Sequence, residues 1–207
     1  AFECLRTGGP GLGGRAGLAG AVFGGSGRSV GRKGYRISFA DLIGATQHAG
    51  RRMPIQLLQG DVLGAATDGL ILTIDGARRG LEGNIARAFA RRWPDDFTEI
   101  EEQIRYPLPL GRTVVTRPDL DCPFKAVYIA STLHHLEVLT GAQKAGIVAS
   151  ALSEAVQMAL RHRMRSLASA VMTGGWRLPF DAALGAMLDC LRSLAPPEAP
   201  LRLAIYV

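Results

Sequence analysis

Gly69-Leu-Ile-Leu-Thr-Ile-Asp75 runs into Gly76-Ala-Arg-Arg-Gly-Leu-Glu-Gly83 and then into Asn84-Ile-Ala-Arg-Ala-Phe-Ala-Arg-Arg-Trp93. From Leu70 to Ile74 every residue but Thr73 is apolar, and Gly69 and Gly76 bound the run. It is too short for a helix and lacks the alternation of a half-exposed strand, so it predicts a strand buried on both faces. Ile85, Ala86, Phe89, Ala90 and Trp93 then recur at helical spacing until Pro94, which predicts a helix with one apolar face. Between the two lies a loop carrying three glycines, Gly76, Gly80 and Gly83.

The same alternation continues on either side. Ile55-Gln56-Leu57-Leu58 reads as a short strand closed by Gly60-Asp61. Val114-Val115 and Val127-Tyr128-Ile129-Ala130 read as two more. Apolar positions 145, 148, 149, 152, 155, 156, 159 and 160 predict an amphipathic helix between Ala142 and Arg161. Leu167 to Met172 is another buried-type strand. Phe180, Ala183, Leu184, Met187, Leu188 and Leu191 mark a last helix, ended before Pro196-Pro197, and Leu201 to Val207 closes as a strand. Strands alternating with helices predict a mostly parallel sheet covered on both faces, a three-layer α/β/α sandwich.

The 207-residue chain is 47% apolar, too rich in apolar residues for a disordered one, and no run of about 18 apolar residues offers a membrane span. The net charge of +6 suggests a nucleic-acid binder until it is divided along the chain. Residues 1–52 hold eight Lys/Arg against two acids, whereas residues 53–207 hold sixteen of each. Fourteen of the 26 glycines also fall in residues 1–52. The expected organisation is therefore a basic, Gly-rich, flexible N-terminal segment over 1–52 and a folded domain over 53–207. Gly9-Pro10-Gly11-Leu12-Gly13-Gly14 has the spacing of a dinucleotide loop but no strand before it or helix after it. The composition of this segment resembles a transit peptide, and it also fits a flexible leader or translated sequence ahead of a start at Met53. Tyr35-Arg36-Ile37-Ser38-Phe39 reads as an added edge strand or as a short helix into Ile43. Cys4, Cys122 and Cys190 are odd in number and far apart, which argues against a disulfide framework or a zinc site and for packing thiols in a reducing, cytoplasmic compartment.

In an open α/β sheet, ligands sit beyond the carboxyl ends of the strands. Four loops qualify: Gly60-Asp61, Asp75 to Gly83, Ser131-Thr132-Leu133-His134-His135, and Thr173-Gly174-Gly175-Trp176-Arg177-Leu178-Pro179. The second and fourth carry glycines just ahead of helix N-termini, where free N–H groups and the helix dipole favour an anion. Two such loops, with an acid at the end of a third, point to a nucleotide containing a diphosphate.

The ordered set of motifs resembles a known family. Ile55-Gln-Leu-Leu-Gln-Gly60-Asp61-Val62 resembles the opening of macrodomains, the ADP-ribose-binding fold. Asp68-Gly-Leu-Ile-Leu72 resembles their second strand, and Gly80-Leu-Glu-Gly83-Asn-Ile-Ala86-Arg-Ala-Phe89 their glycine loop and its helix. Phe89 to Phe97 with Leu110-Gly111-Arg-Thr-Val114 looks like the bacterial branch, and Thr173 to Pro179 like the second phosphate loop. The resemblance covers residues 53–207 and implies a mixed, mostly parallel sheet. It implies that Asp61 accepts from the adenine amino group, with the Val62 N–H nearby. Gly80, Leu81 and Gly83 would offer N–H groups to the diphosphate, while Thr173, Gly174, Gly175 and Trp176 close over it, Trp176 covering the distal ribose. Many hydrolytic members have Asn-x-x-Asn after the second strand; the aligned positions here are Leu72 and Asp75. Asp75 is the candidate catalytic residue, as a base on water or an acceptor from a ribose hydroxyl, and it also reads as a solvated turn residue. A second hydrolytic subgroup uses a Lys near the first loop and an acid in the second. This chain has Arg78, Arg79, Arg87 and Arg177 there, and Arg cannot act as an amine nucleophile.

Other residues carry less. His134-His135 reads as a solvent-facing pair able to assist a proton transfer. His162 suits a helix C-terminus, Glu82 a surface acid, and Glu99-Ile-Glu-Glu102 a solvated helix face. No metal-ligand set, cofactor or membrane contact is expected. The expected activity is binding of ADP-ribose or of ADP-ribosylated protein or nucleic acid by a monomer, with ADP-ribosyl or O-acetyl-ADP-ribose hydrolysis as the enzymatic form. The alternative is a nucleic-acid-associated module whose basic tail supplies non-specific affinity.

Overall fold

The computed structural model describes residues 53–80, 83–116, 121–173, 178–194 and 201–207, all within the compact unit His48–Val207. The expectations for residues 1–52 lie outside these described residues. Six strands form one sheet: β1 (Ile55–Leu58), β2 (Gly69–Asp75), β3 (Thr113–Thr116), β4 (Ala126–Leu133), β5 (Ser166–Ala170) and β6 (Arg202–Tyr206). Their spatial order is β1-β6-β5-β2-β4-β3, and every neighbouring pair is parallel except β3 with β4. The mixed, mostly parallel sheet is the one expected.

Four helices cover it: α1 (Asn84–Arg92), α2 (Pro94–Gln103), α3 (Gly141–Arg161) and α4 (Phe180–Ser193). On one face Leu70, Leu72 and Ile74 of β2 and Val127 and Ile129 of β4 share a core with Ala86 and Phe89 of α1 and Ile100 of α2. Alternation along the strands sends the intervening residues to the other face. There α3 packs on β3 and β4 with α4 beside it, and Thr113 Oγ1 donates to the Ala151 carbonyl at 2.8 Å. Both faces of β2 are thus covered, as its unbroken apolar run requires. Thr140 and Gln143 form a reciprocal capping box that starts α3 after the loop from β4.

Pro94 ends α1 and also begins α2. Trp93 is not helical (φ −139°, ψ 76°), and Pro94 occupies the first position of α2, where a missing N–H costs nothing. Asp95 and Asp96 follow in that first turn, and buried Asp96 accepts from the N–H groups of Asp121 and Cys122 at 3.0 and 2.8 Å. β4 extends three residues past the expected end because Ser131 and Thr132, polar in sequence, are buried; Ser131 Oγ donates to the Leu108 carbonyl at 3.0 Å. Cys122 and Cys190 are buried free thiols, as read, while Cys4 lies outside the described residues. No described helix is long and apolar enough to cross a membrane.

Candidate functional site

The carboxyl ends of β2 and β4 meet at one corner of the sheet. Asp75, the last residue of β2, pairs in register with Leu133 after a slip at Ile74. Gly76 then turns the chain away, donating to the Leu133 carbonyl (2.8 Å) and accepting from the Leu108 N–H (2.7 Å). The backbone passes so close that a Cβ on Gly76 would meet the Leu108 carbonyl and Ser131 Oγ. The loop ends at Gly83, the N-cap of α1, with φ +150° and Thr73 O 3.4 Å from where a Cβ would stand. Glycine is favoured there by conformation rather than by space, since a Cβ would meet only ordinary contacts.

Among the described residues no side chain caps the N-terminus of α1, and its first turn carries no acid. Its leading N–H groups carry the positive end of the helix dipole, a setting that favours an anion. At the other end of this helix, Arg92 Nη1 stands 3.6 Å from Asp61 Oδ2. Nine residues at about 1.5 Å each make the two ends roughly 13 Å apart. Asp61 follows β1, caps the turn Val62–Gly64 by accepting from the Leu63 N–H at 2.9 Å, and keeps a side chain 66% exposed. The Val62 side chain is buried in the core beneath it.

Asp75 is not a solvated turn residue. Its side chain is fully buried and both oxygens are engaged: Oδ1 accepts from the Ala77 N–H at 2.9 Å, and Oδ2 from His135 Nδ1 at 2.8 Å and the His135 N–H at 3.3 Å. The carboxylate is thus withdrawn from water, and what it presents at the surface is the His135 ring, 33% exposed. Nor is the histidine pair simply solvent-facing, since His134 Nε2 contacts the Leu108 carbonyl (2.8 Å) and Nδ1 contacts Glu137 (3.1 Å).

The solvated face expected at Glu99 to Glu102 is also interrupted. Glu101 is buried; its Oε2 accepts from the Gly80 N–H at 3.1 Å and its Oε1 from the Tyr106 hydroxyl at 2.7 Å. Burial first, then the bond to Glu101, push the Tyr106 phenol well above its usual pKa, so it stays a donor. Arg79 and Asp75 both act electrostatically on that phenol, which gathers these groups at one corner. With its N–H given to Glu101, Gly80 has no free donor for a phosphate. What the described part of this loop offers an anion is the start of α1 behind Gly83. The signal was present in sequence: Phe97, Ile100, Glu101 and Ile104 form one helical stripe in which Glu101 replaces an apolar residue.

Thr173 leaves β5 with its N–H on the Val171 carbonyl at 2.8 Å, and Leu178 is buried ahead of α4. Leu81 of the first loop and Gly174, Gly175 and Trp176 of the second lie outside the described residues. Among the described residues, no group of three or more His, Cys, Asp or Glu is placed to hold a metal ion.

No protein-family model and no curated protein sequence matches the chain. Solved structures do. The macrodomain of Thermus aquaticus DarG superposes with a TM-score of 0.57 at 21% identity, over 74% of this chain and 97% of that one. The macrodomain of Mycobacterium tuberculosis DarG gives 0.59 at 20%, over 73% and 97%. The Oceanobacillus iheyensis macrodomain solved with ADP gives 0.63 at 14%, over 77% and 87%. At such identities the likeness is one of architecture, and by strand order, helix placement and extent the chain has the macrodomain fold.

Proposed function

We propose that the chain binds ADP-ribose, free or attached to protein or nucleic acid, along the groove between Asp61 and the N-terminus of α1. The observation that carries this reading is the uncapped, acid-free start of α1 behind Gly83, set at the carboxyl edge of a parallel sheet. It is a diphosphate seat by its electrostatics. Asp61, exposed roughly one helix length away, takes the adenine amino group, with the Val62 N–H beside it. The distal ribose then lies at the corner of Asp75 and His135. Thr173 and, by the resemblance in sequence, Leu81, Gly174, Gly175 and Trp176 complete the enclosure. A macrodomain of the same architecture has been solved with ADP, which fits the adenine and diphosphate parts of the ligand.

A thermal-shift titration of the full chain tests this, with ADP-ribose as ligand and AMP and ribose 5-phosphate as controls. Ligand at 100 times its Kd adds about 2.7 kcal/mol of stability, a readily measured shift. The expected result is a saturable shift with ADP-ribose that neither fragment reproduces at the same concentration. A folded chain whose midpoint ADP-ribose leaves unmoved overturns the reading.

A further inference from the structure

Over residues 53–207 cations and acids are equal in number, yet the fold does not mix them evenly. Arg161 ends α3, Arg163 and Arg165 follow in the turn, and Arg202 opens β6 beside them, its N–H donating to the Arg165 carbonyl at 2.9 Å. All four are exposed. Among the described residues none of the four pairs with a carboxylate, whereas Arg92, Arg112 and Arg192 each do. Because β6, β5, β2 and β4 are neighbours, Arg202, Arg165, Asp68 and Lys125 form a row across the amino-terminal edge of the sheet, about 14 Å long at three strand spacings. The acid in that row is turned inward. Its side chain is 16% exposed, and its oxygens hold Lys125 Nζ at 2.6 Å and the Arg165 N–H at 2.8 Å.

Arg163 sits where stability alone favours another residue. Its N–H donates to the Leu160 carbonyl at 3.0 Å, and the Met164 N–H to the Ala159 carbonyl at 2.9 Å, the pair of bonds that closes a helix through a left-handed residue. Arg163 is that residue, at φ 57°, and among the described residues it is the one non-glycine with positive φ. Glycine takes this conformation freely, whereas any Cβ crowds the neighbouring carbonyl. A cation in the last helical turn answers the helix dipole, as Arg161 does. The dipole explains neither a strained arginine beyond that turn nor Arg165 and Arg202. Strain kept at an exposed position with no partner in the fold points to a partner outside it.

We propose that this edge binds the phosphodiester backbone of a nucleic-acid duplex without reading its sequence. Guanidinium forks match phosphate oxygens in pairs, and four of the five cations, with Lys125, are arginines. The exposed large apolar side chains are Leu58, Leu136, Val138, Phe180 and Val207, which follow the carboxyl ends of strands or open α4. None stands at the amino-terminal edge to enter a bilayer, as membrane binding would ask. Phe124 and Tyr128, the aromatic residues flanking Lys125, are buried and offer no face on which the bases of a single strand could stack. The edge lies opposite the ADP-ribose groove, roughly 20 Å away by the length of β2. The proposal therefore goes beyond that reading and does not rest on it.

The test is binding of a mixed-sequence DNA duplex of about 20 base pairs to the full chain across a range of salt, with Arg163→Gly as the first variant. Glycine suits the left-handed position, so the urea midpoint of this variant should equal or exceed that of wild type. Its duplex affinity should fall about fivefold at about 0.15 M salt, and the slope of log K against log salt should shrink by about 0.9, the counterions of one phosphate. Adding Arg165→Gln and Arg202→Gln should shrink the slope by about 2.7 in all. Residues 1–52 are the same in every variant, so these differences belong to the edge. A duplex of different sequence should bind equally, and the ADP-ribose Kd should not move. Variants that keep the wild-type affinity and slope overturn the proposal and leave any binding to residues 1–52. Wild type that does not bind the duplex overturns it as well. So do phosphatidylserine vesicles that bind as tightly and lose as much with the same variants, which would make the edge a membrane surface.

Discussion

Asp61 and Gly76 each do one thing that a single substitution isolates. Asp61 is exposed, and its Oδ2 has only a 3.6 Å contact with Arg92, so a carboxylate lone pair is available to a base edge. In the proposed pose the adenine amino group is the donor it receives. Asp61→Ala should weaken ADP-ribose about tenfold, the usual range for a hydrogen bond to a charged group, and leave ribose 5-phosphate nearly unchanged. Calorimetry with both ligands checks this, and equal losses would remove Asp61 from the adenine site. Gly76 has a different burden. A methyl group there would be driven into the Leu108 carbonyl, a backbone atom that cannot rotate away, and into Ser131. Gly76→Ala should lower stability by about 3 kcal/mol, the upper range for overpacking a filled site. A urea midpoint within error of wild type would mean that the two segments separate freely.

At the scale of elements, α2 acts as a brace for the glycine loop. Glu101 joins Gly80 to Tyr106 across two segments, so Glu101→Leu strands a half-buried hydroxyl and frees the loop. Stability should drop by about 1–3 kcal/mol. ADP-ribose should bind about fivefold more weakly although Glu101 touches no part of it, and Tyr106→Phe should lose less, since it leaves the Gly80 bond in place. Wild-type affinity in Glu101→Leu would show that the loop needs no brace. These elements also mark what could be read from sequence. β2 and α1 were legible because a double-covered strand and a one-sided helix impose different periods on apolar residues. The order of such elements implied the α/β/α sandwich, and the macrodomain resemblance rested on motifs such as Gly60-Asp61-Val62 and Gly80 to Phe89. The corner did not, because its geometry is made of distant pairs. Whether Asp75 is a solvated turn residue or a buried acid depends on His135, sixty residues away, and on a strand register that no local pattern encodes. Glu101 was misread for a narrower reason: three acids around Ile100 look solvated until the stripe through Phe97 and Ile104 is drawn.

For the whole molecule, the buried titratable groups set a pH window of stability. On the acid side Asp68 is held below the usual carboxylate range, first by its bond to Lys125, which outweighs the opposing desolvation, and then by the Arg165 and Ser166 backbone bonds. That contribution is present above the unfolded value near 3.8 and lost as pH falls through the folded one. On the alkaline side three groups act together. Burial pushes the Cys122 thiol up to about 11 and raises Cys190 as well, and Tyr106 lies far above its ordinary 10. Each is neutral when protonated, so a raised folded pKa means that the folded state keeps a proton the unfolded chain releases. Their stabilisation is whole below the unfolded values and drains away as pH rises through the folded ones. For Cys122 the window runs from 9.0 to about 11. Within it, one retained proton lowers stability by roughly 1.4 kcal/mol for each pH unit. Urea midpoints should therefore fall steeply above pH 9. Cys122→Ala, whatever its midpoint at neutral pH, should fall by about one proton's slope less between pH 9 and 11. A slope identical to wild type would show that the thiol ionises in the folded protein, and so that the turn held by Asp96 lets water reach the core beside Phe124.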